Sequence, residues 1–177
     1  MMKNSGQDFP PALNPGPGLS FVRGGEGRGK TRLLAQLAAQ AAAEGRSVWL
    51  EQPADAAHNA VVARDWLAQR QGPQWSPAVA AALAQAFALA EHLDKPLYML
   101  SAGSRRKLGL LGAAASGAAL TLLETPYAAL DGRSARVLTE LLAEAAEGSE
   151  RAWVLADYEL PAGLAGVRLA ATVDLGD

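Results

Sequence analysis

No cysteine occurs among the 177 residues of this chain, so disulfide bonds and thiol catalysis are excluded. Neither sign of charge dominates, because 16 basic residues stand against 18 acidic ones and the net charge is only −2. The chain therefore lacks a strongly basic surface, and we expect no nucleic-acid partner. Half of the residues are hydrophobic, which is too many for a disordered chain and enough for the core of one domain.

Long hydrophobic runs are scarce too. Residues 1–18 are rich in proline, glycine and asparagine and lack the apolar core of a signal peptide, so we predict an irregular arm there. The longest apolar stretch, residues 108–123, is shorter than the ~20 residues of a membrane-spanning helix and contains several glycines. We interpret it as a buried helix that turns into a central strand. We expect a soluble protein that reaches a membrane only through a partner.

Apolar segments and turn signals predict an alternation of strands and helices. Strands are predicted at 19–22, 47–50, 119–123, 153–156 and 169–173, and helices at 30–44, 56–70, 76–92, 103–115 and 134–147. Such alternation is typical of an α/β fold with a mainly parallel sheet flanked by helices. No strand is predicted between Gln52 and Leu100. Residues 53–99 are therefore predicted to form a helical insertion within a single domain that spans 1–177.

A glycine-rich loop follows the first predicted strand and has the P-loop spacing G-x-x-x-x-G-K-[ST], as Gly24-Gly25-Glu26-Gly27-Arg28-Gly29-Lys30-Thr31. Its glycines let backbone N–H groups surround phosphates, and the helix that begins near Lys30 adds the positive end of its dipole. We expect Lys30, as a solvent-facing charge, to contact the β- and γ-phosphates, and Thr31 to provide a hydroxyl ligand for magnesium. The whole loop is predicted to bind a nucleotide; a plain flexible turn is the alternative.

A second short motif, Leu100-Ser101-Ala102-Gly103-Ser104, lies at the start of a predicted helix. A serine there can also be an ordinary helix cap, because its hydroxyl accepts a hydrogen bond from a free backbone N–H group. Further along, an apolar strand ends in Glu124, two residues before Pro126. The order of glycine loop, Ser-x-Gly motif and acidic strand end favours a nucleotide-related function over a simple cap.

With these motifs in this order, the stretch from Leu19 to Tyr158 resembles the ATP-binding domains of ATP-binding-cassette (ABC) proteins, a family of P-loop NTPases. It is similar more narrowly to the ATPase subunit of cytochrome c maturation haem exporters, the CcmA type. Three local features support the narrower similarity. Ala102 stands where most ABC proteins have glycine, and the segments 51–53 (Glu-Gln-Pro) and 126–131 (Pro-Tyr-Ala-Ala-Leu-Asp) are similar to segments of that subfamily.

The resemblance implies an ATP-binding subunit that uses ATP and Mg²⁺ and works with a membrane permease, as a homodimer or with a paralogous ABC subunit. It implies a cytoplasmic protein, peripheral to the inner membrane through that permease. Ser101 and Gly103 would touch the γ-phosphate held by the other subunit, and Asp131 would lie at the dimer interface. Gln52 would sense the γ-phosphate and the metal and would couple the insertion to the permease. A solvated glutamine and a helix-capping aspartate are the alternatives for Gln52 and Asp131.

Two positions needed for hydrolysis depart from the family pattern. ABC enzymes end the metal-binding strand with Asp-Glu-Pro, whereas this chain has Glu124-Thr125-Pro126. Glu124 then takes the metal position and Thr125 replaces the glutamate base, a loss that commonly costs about 10²–10⁴-fold in rate. In the alternative register Glu124 is the base and Leu123 takes the metal position. Tyr158 stands where the family has a histidine, so we expect impaired hydrolysis.

The residues before Gly24 are too few for the antiparallel β-subdomain that supplies an adenine-stacking aromatic residue in this family, so we expect that subdomain to be largely missing. Phe9 is a candidate for stacking, with a packed or loose arm residue as the alternative. Three functions are open: the ATP-binding subunit of an exporter of the cytochrome c maturation type, a non-hydrolysing nucleotide-gated clamp or regulatory subunit, and a small-molecule phosphotransferase. The last has no support beyond the glycine loop.

Overall fold

The computed structural model describes residues 13–51 and 59–177. Their five strands form one sheet in the order β2-β3-β4-β1-β5, in which neighbouring strands are parallel. The strands are β1 (Gly18–Arg23), β2 (Val48–Glu51), β3 (Leu120–Glu124), β4 (Ala152–Asp157) and β5 (Ala171–Asp174). The helices are α1 (Lys30–Ala43), α2 (Ala63–Ala68), α3 (Pro77–Ala86), α4 (Ala102–Ala115) and α5 (Gly132–Glu147).

Helices cover both faces of the sheet. Leu122 of β3 belongs to the core formed with α1, whereas its neighbour Leu123 belongs to the core formed with α4 and α5. Successive residues of a strand point to opposite faces, so α1 lies on one side of the sheet and α4 and α5 on the other. Strands covered on both faces are apolar along their length. Polar groups with a chemical function are therefore expected at the strand ends.

The five predicted strands are confirmed, with ends that differ by one or two residues. The helices predicted at 30–44, 103–115 and 134–147 are confirmed as α1, α4 and α5. The apolar stretch 108–123 is the second half of α4, a turn at Gly117 with a φ of +64°, and β3, as predicted. Within the described residues, no helix is long and apolar enough to cross a membrane.

The two helices between β2 and β3 are shorter than predicted. Where a helix was predicted at 56–70, α2 begins only at Ala63, because Val62 is extended and forms an antiparallel bridge with Pro96; residues 56–58 lie outside the described part. The helix predicted to reach His92 ends at Ala86, since Ala88 adopts a left-handed φ of +53°. Tertiary pairing and a local backbone reversal thus override the helical pattern at both places. The single domain with an insertion at 53–99 stays a prediction.

Gly112→Val should lower the free energy of unfolding by about 2–3 kcal/mol, the cost of overpacking a well-filled core. A Cβ at position 112 would lie only 2.4 Å from Cη2 of the buried, rigid Trp49 ring. Gly132→Val is the matched control, because a Cβ there meets nothing within 4 Å. Urea unfolding measures both variants. Equal stabilities would contradict the packing of α4 against β2.

Candidate functional site

The carboxyl ends of three neighbouring strands meet at one edge of the sheet. The glycine loop follows β1, Glu124 ends β3 and Asp157 ends β4. The edge is tied together by the amide of Gly24, which donates to the Asp157 carbonyl at 3.1 Å, and by that of Thr125, which donates to the Ala156 carbonyl at 2.8 Å. In open parallel sheets, ligands bind beyond such carboxyl ends.

Lys30 is buried, with only 6% of its surface exposed, so the expectation that it faces solvent is wrong. Its Nζ donates to the carbonyl oxygens of Gly24 at 2.5 Å and Gly25 at 2.8 Å. The same atom lies 4.2 Å from the centroid of the Tyr158 ring. The ammonium group is therefore held inside the concave side of the glycine loop, because two loop carbonyls and an aromatic face replace its hydration.

The start of α1 differs from the starts of the other long helices. Ser76, Ser101 and Asp131 cap α3, α4 and α5 through their side chains, whereas Gly29 before α1 is left-handed at φ +94° and gives no side-chain cap. No acidic residue lies in the first turn of α1. Backbone N–H groups at such a helix start are free of a side-chain acceptor and favour an anion. The preceding loop residues Glu26, Gly27 and Arg28 are exposed.

The two predicted magnesium ligands in the described chain lie together. Thr31 Oγ1 of α1 donates to Glu124 Oε1 of β3 at 2.6 Å. Within residues 13–51 and 59–177 no group of three or more His, Cys, Asp or Glu side chains could hold a metal. One hydroxyl and one carboxylate fit Mg²⁺, which usually combines one or two protein oxygens with phosphate oxygens and water.

Thr125 occupies the next position along the chain and has a strained backbone. Its φ of +42° is unusual for a β-branched residue. Such strain is often found at functional sites, but a threonine hydroxyl does not act as a base at neutral pH. Tyr158 has 51% of its surface exposed, and its ring lies against Lys30. Its role in hydrolysis stays a prediction.

The Ser-x-Gly motif is engaged within its own chain. The Ser101 hydroxyl accepts a hydrogen bond from the Ser104 amide at 3.1 Å, which is the capping role given as the alternative. A Cβ on Gly103 would lie 2.6 Å from the carbonyl oxygen of Ala129, so the packing within this chain already requires glycine at that position. Ala129 itself is left-handed, with φ +64°. A contact of Ser101 and Gly103 with a nucleotide of another subunit stays a prediction.

Asp131 also acts as a helix cap. Its Oδ1 accepts a hydrogen bond from the Ser134 amide at 2.8 Å. This bond is the main reason why the pKa of Asp131 is lowered. The capping alternative is therefore realised, while a place at a dimer interface stays a prediction. Gln52 and Phe9 lie outside the described residues, so their predicted roles stay predictions as well.

Sequence reasoning missed a carboxylate beside the loop. Asp157 is half-buried, burial raises its pKa, and the charge of Lys30 acts in the opposite direction. Its Oδ1 accepts a hydrogen bond from the Tyr158 amide at 2.8 Å. An acidic residue at the carboxyl end of a strand next to the glycine loop was the available signal.

A buried ion pair that was also missed connects α4 to two strand ends. Arg106 Nη1 donates to Glu51 Oε2 at 2.8 Å, and the two side chains are only 10% and 8% exposed. The same nitrogen lies 3.4 Å from the Glu124 carbonyl oxygen. Burial raises the pKa of Glu51 to about 7, although Arg106 opposes this shift. Arg106 thus connects α4, the helix of the Ser-x-Gly motif, to the ends of β2 and β3 by hydrogen bonds.

No protein-family model matches the chain, and no curated protein matches its sequence. Solved structures do match it. A metal-chelate-type ABC transporter in an inward-facing conformation is similar with a TM-score of 0.64 and 22% identity, over 92% of this chain and 70% of that one. An ABC transporter ATP-binding protein from Pyrococcus furiosus has a TM-score of 0.68 and 16% identity, over 89% of this chain and 84% of that one. A structure of an archaeal ribosome recycling factor in complex with a ribosomal stalk protein is similar with a TM-score of 0.62 and 16% identity. The match covers 83% of this chain and 34% of that one.

The similarity identifies the fold as the P-loop NTPase fold of ABC ATPases, a mostly parallel sheet flanked by helices. At such identities it identifies the fold alone. The fold occurs both in proteins named as transporters and in one named as a ribosome recycling factor. The fold therefore does not identify the partner or the function of this protein, which depend on the residues of the site.

Glu51→Gln should flatten the dependence of stability on pH. The folded protein keeps a proton on Glu51 up to about pH 7, whereas the unfolded chain releases it near 4.5. The folded state therefore binds more protons between these values, and the free energy of unfolding falls as pH rises through them. The fall from this residue should be on the order of 3 kcal/mol. Urea unfolding between about pH 4 and 8 measures the slope.

Asp157, whose pKa burial also raises, should leave part of the slope in the Glu51→Gln variant. Glu150→Gln, which removes an exposed carboxylate, should keep the full slope of the parent protein. If the parent and Glu51→Gln have the same slope, the pKa of Glu51 is not raised in the folded protein.

Proposed function

We propose that this protein is the ATP-binding subunit of an ABC transporter, which binds Mg-ATP and drives or gates a membrane permease. The single observation with most weight is the 2.6 Å hydrogen bond between Thr31 and Glu124. It brings the helix that starts at the glycine loop into contact with the acidic end of β3. A hydroxyl and a carboxylate so placed beside a P-loop suit magnesium bound to a nucleotide.

Three further features support a polyphosphate as the ligand. The Lys30 ammonium lies inside the loop, α1 starts without a side-chain cap, and Gly27 and Gly29 have positive φ angles of +70° and +94°. Phosphates would be bound by loop amides and by Lys30, with Thr31 and Glu124 as protein ligands of Mg²⁺. The metal would neutralise phosphate charge.

The role in transport and the dimer are supported less directly. The order of motifs resembles ABC proteins, and two of the similar structures are named as an ABC transporter and as a transporter's ATP-binding protein. Haem export and cytochrome c maturation rest on the sequence features at 51–53, Ala102 and 126–131 alone. In this proposal two subunits, identical or paralogous, close over ATP, and a permease holds them at the inner membrane from the cytoplasmic side.

A non-hydrolysing clamp or regulatory subunit is the second candidate. The observation in its favour is that Thr125 and Tyr158 stand at the two positions where the resemblance implies a glutamate and a histidine. Thr125 offers a hydroxyl in place of a carboxylate, and the Tyr158 ring faces Lys30. We therefore propose that the transporter subunit would hydrolyse ATP slowly, whereas the second candidate would bind ATP without hydrolysing it. The catalytic set would be Glu124, Thr125 and Tyr158 together with Gln52.

Lys30→Met should abolish the thermal stabilisation that Mg-ATP gives to the parent protein. Methionine keeps the length of the buried chain but removes its charge and its hydrogen bonds to the loop. A bound nucleotide stabilises by roughly 2.7 kcal/mol at a hundredfold excess over its Kd. Thermal unfolding with and without Mg-ATP measures the difference. Lys95→Met is the control and should keep the stabilisation; full stabilisation of Lys30→Met would contradict a phosphate-binding loop.

Thr125→Glu should raise ATP turnover by about tenfold or more, because it returns a proton acceptor to the base position. Since Thr125 and Tyr158 would act on one water, adding Tyr158→His should give more than the product of the single effects. Steady-state phosphate release measures the rates, with Thr172→Glu on the exposed edge of β5 as the control. If neither Thr125→Glu nor the double variant is faster than the parent, Thr125 is not at the base position.

A further inference from the structure

The aromatic face beside Lys30 is the least expected contact of the candidate site. An ammonium group has three N–H donors, and in Lys30 two of them are used by the carbonyls of Gly24 and Gly25. One donor is left for a ligand. The Tyr158 ring centroid lies 4.2 Å from the same nitrogen, well within the ~6 Å over which a cation is attracted to a ring face. Ring and ligand therefore compete for one charge.

The backbone of Tyr158 is held by hydrogen bonds, whereas its side chain is largely exposed. Its amide donates to Asp157 Oδ1 at 2.8 Å, and the Asp157 carbonyl accepts from Gly24, so the end of β4 is anchored to the glycine loop. The residue is nevertheless 51% exposed, so about half of its surface already faces solvent. Tyr158 can cover Lys30 or leave it, at the cost of the cation–π contact.

This competition affects the phosphates of a nucleotide unequally. In a P-loop the backbone amides bind the α- and β-phosphates, whereas the lysine reaches the β- and γ-phosphates. A diphosphate keeps its contacts with the amides when Lys30 is covered. A third phosphate depends more on the lysine, whose charge also interacts with the half-buried Asp157 carboxylate.

We propose that Tyr158 is a specificity-determining residue that covers Lys30 and shifts the preference of the site from nucleoside triphosphates toward nucleoside diphosphates. This inference rests on the proposed nucleotide-binding function. It is opposite in sign to a role in which the Tyr158 hydroxyl donates a hydrogen bond to the terminal phosphate. Removal of the ring strengthens triphosphate binding if Tyr158 covers the lysine, and weakens it if Tyr158 holds the phosphate.

The test is calorimetric titration of the full chain with Mg-ADP and with the magnesium complex of the β,γ-imido analogue of ATP. Tyr158→Ala should tighten binding of the triphosphate analogue by about two- to fivefold, the worth of an exposed cation–π contact, with a smaller change for ADP. Tyr158→Phe keeps the ring and loses the hydroxyl, so it should bind both ligands like the parent. Tyr98→Ala removes another exposed tyrosine and should change neither affinity.

Weaker binding of the triphosphate analogue by Tyr158→Ala, or equal changes for the two ligands, would overturn the inference while nucleotide binding stands. Weaker analogue binding by Tyr158→Phe would assign the effect to the hydroxyl and would overturn it as well. If the parent and Tyr158→Ala bind neither ligand, the proposed function and the inference are both wrong. Thermal unfolding without ligand verifies that each variant is folded. If Tyr158→Ala does not fold, Tyr158→Phe still tests the hydroxyl, because weaker analogue binding by that variant would overturn the inference.

Discussion

The candidate site depends on the parallel pairing of β1 with β4 and of β4 with β3. In this register Arg23 lies opposite Asp157, and Glu124 lies opposite Ala156, so the three strands end at one level. The chain leaves each strand there, which places the glycine loop, the Glu124 carboxylate and Tyr158 side by side. A shift of β4 by one residue would also turn its apolar side chains to the wrong faces. The same packing that stabilises the core therefore fixes the site.

The edge of the sheet is unusual in the charge that it keeps away from water. Lys30, Glu51 and Arg106 are nearly buried and Asp157 is half-buried, although ionised groups are costly to bury. Each has partners that offset part of this cost: carbonyls and a ring for Lys30, and a shared ion pair for Glu51 and Arg106. A fold that needed only stability could place apolar side chains there. Buried ionisable groups with shifted pKa values are instead often found at functional sites.

Much of this arrangement was predictable from sequence, because the relevant signals are local. The strands are apolar runs, and the glycine loop is continuous in the chain. The end of α3 was not predictable, since it depends on the left-handed backbone of Ala88, and neither was the extended Val62, whose partner Pro96 is distant. The ion pair of Glu51 with Arg106 joins residues 55 positions apart. The burial of Lys30 was not predictable either, because a lysine at the end of a glycine-rich segment gives no sign that carbonyl oxygens of the loop will enclose it.

In the proposed function, nucleotide binding and turnover would depend on different parts of this edge. The groups suited to phosphate and magnesium lie on the loop, on α1 and at Glu124, and they contact one another directly. The predicted positions for activating water are Thr125 and Tyr158, which follow β3 and β4. The Thr125 amide keeps its backbone hydrogen bond to Ala156, so the end of β3 stays paired with β4 whatever side chain stands at position 125. Under the proposed function, a protein of this fold could therefore bind a nucleotide without hydrolysing it rapidly, and Tyr158, which contacts Lys30, would affect both processes.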